Sequence, residues 1–475
     1  MMSRVNHQSW MRRRSFVGLG TAGLASLPAM QPAFGASRAA RAKQVLVLFE
    51  QGGVCQMDSF DPKPNMTAEH ASPYGSVQTK IPGVHFSELL THAAAHIDKM
   101  TVVRCMIQPK PGIGDSHPKG SMYILQGEPP QATGIFPKLG SDSFPDIGCV
   151  VSHRLGTKAK HLPSYIVAPA TSELMPLGIS TGGFLPPQHA PFKTGGQPHK
   201  PDWTIPNLNL VDVDQRRFRD RSDLLSNLDL GFPGTEHVNS ANALVALREQ
   251  AEDMLTNPAT RRAFDLQGEP LQIREKYGVG HRGQCYLLGR KLIEAGVRFV
   301  TLDVREPAAP RYPGGFDMNW DHHDFIYSNA STAIEGGGPG AGRWGIGTWP
   351  MMGSTDKALA ALLEDMDERG LLEETLVCFV TEFGRTPRIN ERKGRDHWVH
   401  AFSFAFAGAG VPGGQVVGET DQDGGYVTSS MAYTIDDYAA TIYEKLGIDR
   451  SKPIYNSAHR PHFLAKNGSP IPELM

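Results

Sequence analysis

The 475-residue chain sets 47 basic residues against 49 acidic ones, a formal charge of −2, with 40% apolar and 20% charged residues. That balance excludes a charge-driven nucleic-acid or anionic-membrane binder and a disordered chain. The 51 glycines and 36 prolines predict many turns and long connections, not collagen or low complexity.

The first 36 residues read as an address. Arg12, Arg13 and Arg14 precede Ser15-Phe16, a short apolar run extends from Val17 to Leu27, and Ala33-Phe34-Gly35 offers small residues for cleavage. A positive start, a short apolar stretch and a small-residue exit make an export signal, and the paired arginines point to the twin-arginine route. The run is too short to span a bilayer, which takes about 20 residues. The expectation is a periplasmic or secreted protein with no stable membrane insertion after cleavage and no nucleic-acid partner.

In the mature chain, 44–50 (QVLVLFE) is a continuous apolar run stopped by Gly52-Gly53, as expected of a strand buried on both faces. Residues 100–106 and 164–168 are further strands. Two helix-then-strand units follow: Cys285–Ala295, stopped by Gly296, leads into 297–304, and Asp356–Glu368, stopped by Gly370, leads into 375–381. This alternation predicts an α/β fold with a mainly parallel sheet. A last helix, Ile435–Leu446, starts from Thr434 as N-cap. The Gly/Pro-rich and then charged text of about 175–245 reads as a partly helical insertion. The five cysteines, Cys55, Cys105, Cys149, Cys285 and Cys378, contain no C-x-x-C pair and form neither a disulfide framework nor a zinc-finger pattern; Cys378 is expected to be buried.

Ligands of open α/β sheets sit at the carboxyl ends of the strands, and here those ends carry unusual text. Asp58 and Asp61 follow the first strand. Asp317 and the run Asn319-Trp320-Asp321-His322-His323-Asp324 follow 297–304, and Glu382, Arg385, Asp396 and His397 follow 375–381. Residues 112–127 add Asp115, Ser116 and His117. Carboxylates with imidazoles suit Zn²⁺, Mn²⁺ or Fe, and an all-oxygen set suits Mg²⁺ or Ca²⁺. Asp58 and Asp61 also fit turn chemistry, and Arg385 could bind an anion or pair with an aspartate. The glycine cluster at 336–342 follows no strand, so a nucleotide cradle is not expected.

Five segments, QGGVCQMDSFDPKP, TEFGRTPRIN, GRDHW, AGAGVPGGQVVGETD and RPHFLAKNGSPIPEL, resemble the secreted family named domain of unknown function 1501, placed within the alkaline phosphatase/sulfatase superfamily. The likeness spans nearly the whole mature chain. It implies a three-layer sandwich of the alkaline phosphatase/sulfatase type over 37–475. It also implies a divalent metal ion (Zn, Mn, Mg or Ca) and hydrolysis of small anionic sulfate or phosphate esters. On that comparison Asp58, His117, Asp321, His323, Glu382 and Asp396 are expected at the metal. His397 is expected to protonate the leaving oxygen, Arg385 to neutralise the ester and Ser116 to stand near the nucleophile position. The chain departs from the superfamily pattern there. Counting back ten from Gly127 reaches His117 and not a Ser, Thr or Cys, Ser121 stands where a sulfatase has arginine, and Glu50 and Gln51 replace the aspartate after the opening strand. The rival expectation is a non-catalytic binding or assembly protein that keeps the fold; a redox metalloprotein is a third.

Overall fold

A strand with no polar face needs cover on both sides, and all six residues of β1 (Gln44–Phe49) are buried. A computed structural model of the chain describes residues 41–109, 112–130, 142–169, 181–205, 208, 213–230, 238–304, 320, 321, 323, 327 and 352–475. The chain divides into two units, Met1–Arg38 and Ala39–Met475. The expected signal at 1–36 lies outside the described residues, as do Asp317, His322 and Asp324.

Among the described residues, the second unit is built on one sheet of eight strands. After β1 come β2 (Met100–Met106), β3 (Tyr165–Ala168), β4 (Phe192–Lys193), β5 (Phe299–Asp303), β6 (Thr375–Val380), β7 (Phe402–Ala407) and β8 (Gln415–Val417). Their order across the sheet is β8-β2-β7-β6-β1-β5-β3-β4. β1 lies parallel between β5 (Val45 opposite Phe299) and β6 (Gln44 opposite Thr375). β7 is antiparallel to both β2 and β6, and the remaining pairs are parallel. All strands but β7 therefore end at the same edge.

Strand side chains alternate between faces, and each face has its own helical cover. Leu46, Leu48, Val300, Leu302, Val377 and Phe379 pack with residues of the helices His281–Glu294 and Met352–Glu368. Val45, Val47, Phe49, Leu376, Cys378 and Val380 pack with the helices His117–Gln126, Ile147–Leu155 and Ile435–Lys445. The result is the expected three-layer α/β sandwich. Thr434 caps the last helix in a reciprocal capping box with Asp437, which satisfies N–H groups the first turn leaves open.

β7 was not expected. Its text, FSFAFA, puts Phe402, Phe404 and Phe406 on one face and Ala405 and Ala407 on the other. The small residues let helices approach where the aromatics fill the opposite layer. Within 175–245, Phe192–Lys193 adds the edge strand, and Gln215–Leu230 and the first part of Val238–Thr256 are helical. All five cysteines are buried and unpaired. Among the described residues no helix is long and apolar enough to cross a membrane.

Helix and sheet pack closely at Gly289. A Cβ there would lie 2.7 Å from Leu302 Cδ1 and 3.0 Å from Leu46 Cδ1, inside van der Waals contact. Gly289→Val is therefore expected to overpack this layer and lower unfolding free energy by about 1–3 kcal/mol. The check is urea titration, with a lower midpoint and an unchanged slope.

Candidate metal centre

The shared carboxyl edge of β1, β2, β5 and β6 brings four loops together. The segment after β2 enters the helix His117–Gln126, whose first residue is a histidine. Residues after β5 return as Trp320, Asp321, His323 and Tyr327. The segment after β6 forms a short antiparallel ladder pairing Gly384-Arg385 with His397-Trp398, so that His397 lies opposite Arg385. Between them, the turn after β1 passes so close to the returning segment that only glycine fits. Gly52 has φ +104°, and a Cβ on it would lie 2.5 Å from Asp321 N.

This convergence places His117, Asp321, His323 and His397 together, with one donor atom from each within 4.8 Å of the others. Asp321 Oδ1 lies 3.1 Å from His117 Nε2, 3.1 Å from His323 Nε2 and 3.8 Å from His397 Nε2. His323 Nε2 and His397 Nε2 are 2.9 Å apart. Each imidazole is held through its other nitrogen. His117 Nδ1 is 2.7 Å from Glu382 Oε1, His323 Nδ1 is 3.0 Å from Asp396 Oδ1, and His397 Nδ1 is 2.8 Å from the Asp115 carbonyl oxygen. Metal-binding histidines are usually held this way, with a carboxylate or carbonyl fixing tautomer and ring while the second nitrogen faces the ion.

The fit to a cation is good. A tetrahedral ion with bonds of about 2.0–2.1 Å puts its donors about 3.3 Å apart, and the donor separations here straddle that figure. His117 Nε2 is buried and makes no hydrogen bond of good geometry, although Asp321 is near. Side-chain exposure runs from 14% at His117 to 37% at His323, so the centre is sheltered but reachable. Phe383 forms an apolar wall, its ring 4.2 Å from that of His397 and 5.1 Å from that of His117.

The electrostatics follow from the same contacts. Burial opposes the charged form of His117, but the carboxylates of Asp321 and Glu382 outweigh it and push the imidazole up to about 9. Burial likewise opposes charge on Asp321, yet the three histidines and Arg385 hold its carboxyl well below the usual range. Contact with Asp321 raises His323. Burial lowers His397, and the charges of Arg385 and His117 add to that.

Several expected roles are corrected. Glu382 and Asp396 are not among the converging donors; they hold His117 and His323 from behind. Glu382 is fully buried, and its Oε1 also accepts from Gly52 N at 2.8 Å. Asp58 lies elsewhere, its carboxylate taken up by the hydroxyls of Ser72 and Tyr327 with Arg395 at 3.9 Å. His397, expected as a leaving-group acid, stands with the donors. Arg385, expected to meet an anionic ester, is 0% exposed. Its Nε donates to Gly53 O at 3.1 Å, its Nη1 to Arg395 O at 2.9 Å, and its Nη2 to Gly52 O and, at 2.9 Å, to Asp321 Oδ1. Ser116 directly precedes His117, and its buried Oγ has no hydrogen-bond partner. Sequence reasoning missed Asn390, which donates to the His323 carbonyl at 2.9 Å and to Asp396 at 3.2 Å. Its position six residues before Asp396, in turn-forming text, was the available signal.

The family model described as Protein of unknown function (DUF1501) matches residues 42–475. No curated protein matches the chain. Among solved structures, the chain is similar to a protein in the alkaline phosphatase superfamily from Vibrio parahaemolyticus, at 10% identity and TM-score 0.37 over 88% of this chain and 72% of that one. It is also similar to a phosphonate monoester hydrolase from Silicibacter pomeroyi, at 12% identity and TM-score 0.34 over 86% and 74%. A third is a sulfatase from Pseudoalteromonas sp., at 12% identity and TM-score 0.36 over 87% and 69%.

The buried contacts of Arg385 make it a structural cation. Arg385→Met, which keeps a long apolar stem, leaves Asp321 and three buried carbonyls without their donor. It is expected to destabilise the protein by about 3–5 kcal/mol, measured by chemical denaturation. An unchanged midpoint would return Arg385 to the list of ester-binding groups.

Proposed function

The chain belongs to the DUF1501 family, a membership that leaves the reaction to be read from the site, and we propose a metal-dependent hydrolase of sulfate or phosphate esters. It would work in the periplasm or outside the cell after twin-arginine export. The observation that carries this reading is the convergence of three Nε2 atoms with Asp321 Oδ1, each imidazole held through its other nitrogen. A set of three nitrogens and one oxygen suits zinc or another imidazole-binding ion better than Mg²⁺ or Ca²⁺, which take oxygen ligands.

His117, Asp321, His323 and His397 would hold the ion, which when bound polarises an ester oxygen and lowers the pKa of water. The protein's own groups prepare that place. Glu382, Asp396 and the Asp115 carbonyl, as acceptors, keep each ring proton on Nδ1 and turn the Nε2 lone pair inward. Arg385 holds Asp321 in position. Ser116 brings a hydroxyl without a hydrogen-bond partner next to His117 in the chain, and in this reading it orients the ester. One observation favours a second reading, a metal-holding protein without turnover: the arginine expected to meet the ester anion is wholly engaged inside the fold.

Elemental mass spectrometry on the exported protein is expected to find divalent metal that an Asp321→Ala/His323→Ala double variant lacks. The wild type is then expected to cleave a chromogenic sulfate or phosphate ester, and Ser116→Ala to keep the metal while losing turnover. A folded, metal-free wild type would sink the hydrolase. Metal retained with no ester cleaved would favour the second reading.

A further inference from the structure

Two of the four converging donors, Asp321 and His323, come from a stretch in which none of the described residues belongs to a helix or strand. No backbone ladder fixes them, whereas His117 has a helix and His397 a strand ladder. Beside the contacts that Arg385 and Asn390 make to Asp321 and His323, an aromatic residue on either side, Trp320 and Tyr327, ties the stretch to the fold. Trp320 is 0% exposed; its indole N–H donates to Glu50 Oε2 at 2.9 Å, and its backbone N–H donates to Gln51 O at 3.2 Å. Tyr327 gives its hydroxyl to Asp58 Oδ2, and its backbone N–H donates to Lys393 O at 3.0 Å.

The two anchors share one construction. Each buried carboxylate stands in the segment that ends β1 or just follows it. Each has an arginine beside it: Arg282 Nη2 is 3.2 Å from Glu50 Oε2, and Arg395 Nε is 3.9 Å from Asp58 Oδ2. Arg395 also donates to the Tyr327 oxygen at 2.6 Å. Each carboxylate takes a further hydroxyl, Tyr286 on Glu50 at 2.7 Å and Ser72 on Asp58. A buried carboxylate is tolerated only when its oxygens are satisfied. Here the last partner of each is the polar tip of an aromatic that brackets Asp321 and His323.

We propose that Glu50 and Asp58 are positioning residues that hold Trp320 and Tyr327, on either side of Asp321 and His323, and thereby set the metal affinity of the centre. Neither carboxylate is a ligand. This inference rests on the metal reading of the site. It also explains why the chain can carry Glu50 where the superfamily comparison led one to expect a ligand aspartate: the longer side chain reaches Trp320 and leaves the ion to Asp321.

Three variants test it, each removing one donor. Trp320→Phe and Tyr327→Phe take a hydrogen bond from the segment; Tyr286→Phe takes one from the same Glu50 but on the helix His281–Glu294, away from the segment. Zinc is titrated into metal-stripped protein against a chelating dye. Trp320→Phe and Tyr327→Phe are each expected to weaken zinc binding about 10–100-fold, the usual effect of losing a group that supports a ligand, and Tyr286→Phe by less than about threefold. In the same metal-free samples, hydrogen exchange in peptides covering 320–327 is expected to quicken in the first two variants only. Equal effects of Trp320→Phe and Tyr286→Phe, or no effect of Tyr327→Phe, would overturn the clamp. A wild type that binds no zinc but shows the selective exchange would uphold the clamp and remove the metal reading instead.

Discussion

The Asp321 carboxylate is the point on which the site closes. Its Oδ1 faces His117, His323 and His397 at 3.1–3.8 Å and Arg385 at 2.9 Å, and those groups come from three different strand-end loops. That one oxygen is a contact shared by the loops after β2, β5 and β6 at the edge of the sheet, and His397, which touches Asp115 and His323, is a second. The parallel course of β1, β2, β5 and β6 makes the meeting possible, because it delivers every one of these loops to the same side of the molecule.

Around that point the acids and the imidazoles divide their work. Glu382 and Asp396 sit behind His117 and His323, and Glu50 and Asp58 hold Trp320 and Tyr327 on either side of Asp321 and His323. Of the carboxylates discussed, Asp321 alone stands among the donors. The arginines are divided likewise: Arg282, Arg385 and Arg395 are all buried and bind carboxylates or backbone oxygens. A centre supported this way has little freedom left, which suits the binding of an ion in one geometry. In the proposed hydrolase, recognition of an ester anion would have to come from groups other than these arginines.

Much of this was legible in the sequence, and the rest was hidden for physical reasons. Strands buried on both faces announce themselves as unbroken apolar runs, so β1, β2, β3, β5 and β6 were found within two residues at either end. β7 escaped because its alternation of phenylalanine with alanine or serine is neither an unbroken run nor a polar–apolar pattern. The chemistry-rich text at the strand ends named His117, Asp321, His323 and His397 together. Sequence cannot say which carboxylate faces an ion and which stands behind a histidine, since both need the same residue type next to the same partner. That is why Glu382 and Asp396, expected at the ion, lie behind His117 and His323, and Asp58, expected with them, lies with Ser72 and Tyr327. Arg385 shows the same limit: whether an arginine in a glycine-flanked turn meets solvent or backbone carbonyls depends on Gly52 and Gly53, more than 300 residues away in the chain.

A count of lone pairs supports the proposed metal centre over a self-contained hydrogen-bond network. A carboxylate offers about four acceptor sites over two oxygens, so one oxygen can satisfy about two donors. Four nitrogens face Oδ1 of Asp321, and one of them, from Arg385, always carries a proton. If all three imidazoles also donated, the oxygen would be oversubscribed and His323 would set a proton against His397 across 2.9 Å. If they did not donate, three lone pairs would face one another beside an anion. With protons on all the nitrogens or on none, the arrangement is poor, and partial protonation satisfies only some of its contacts. A divalent ion among the four donors removes the conflict at once, because every Nε2 lone pair and the Asp321 oxygen then face positive charge while each Nδ1 proton stays on the acceptor already waiting for it.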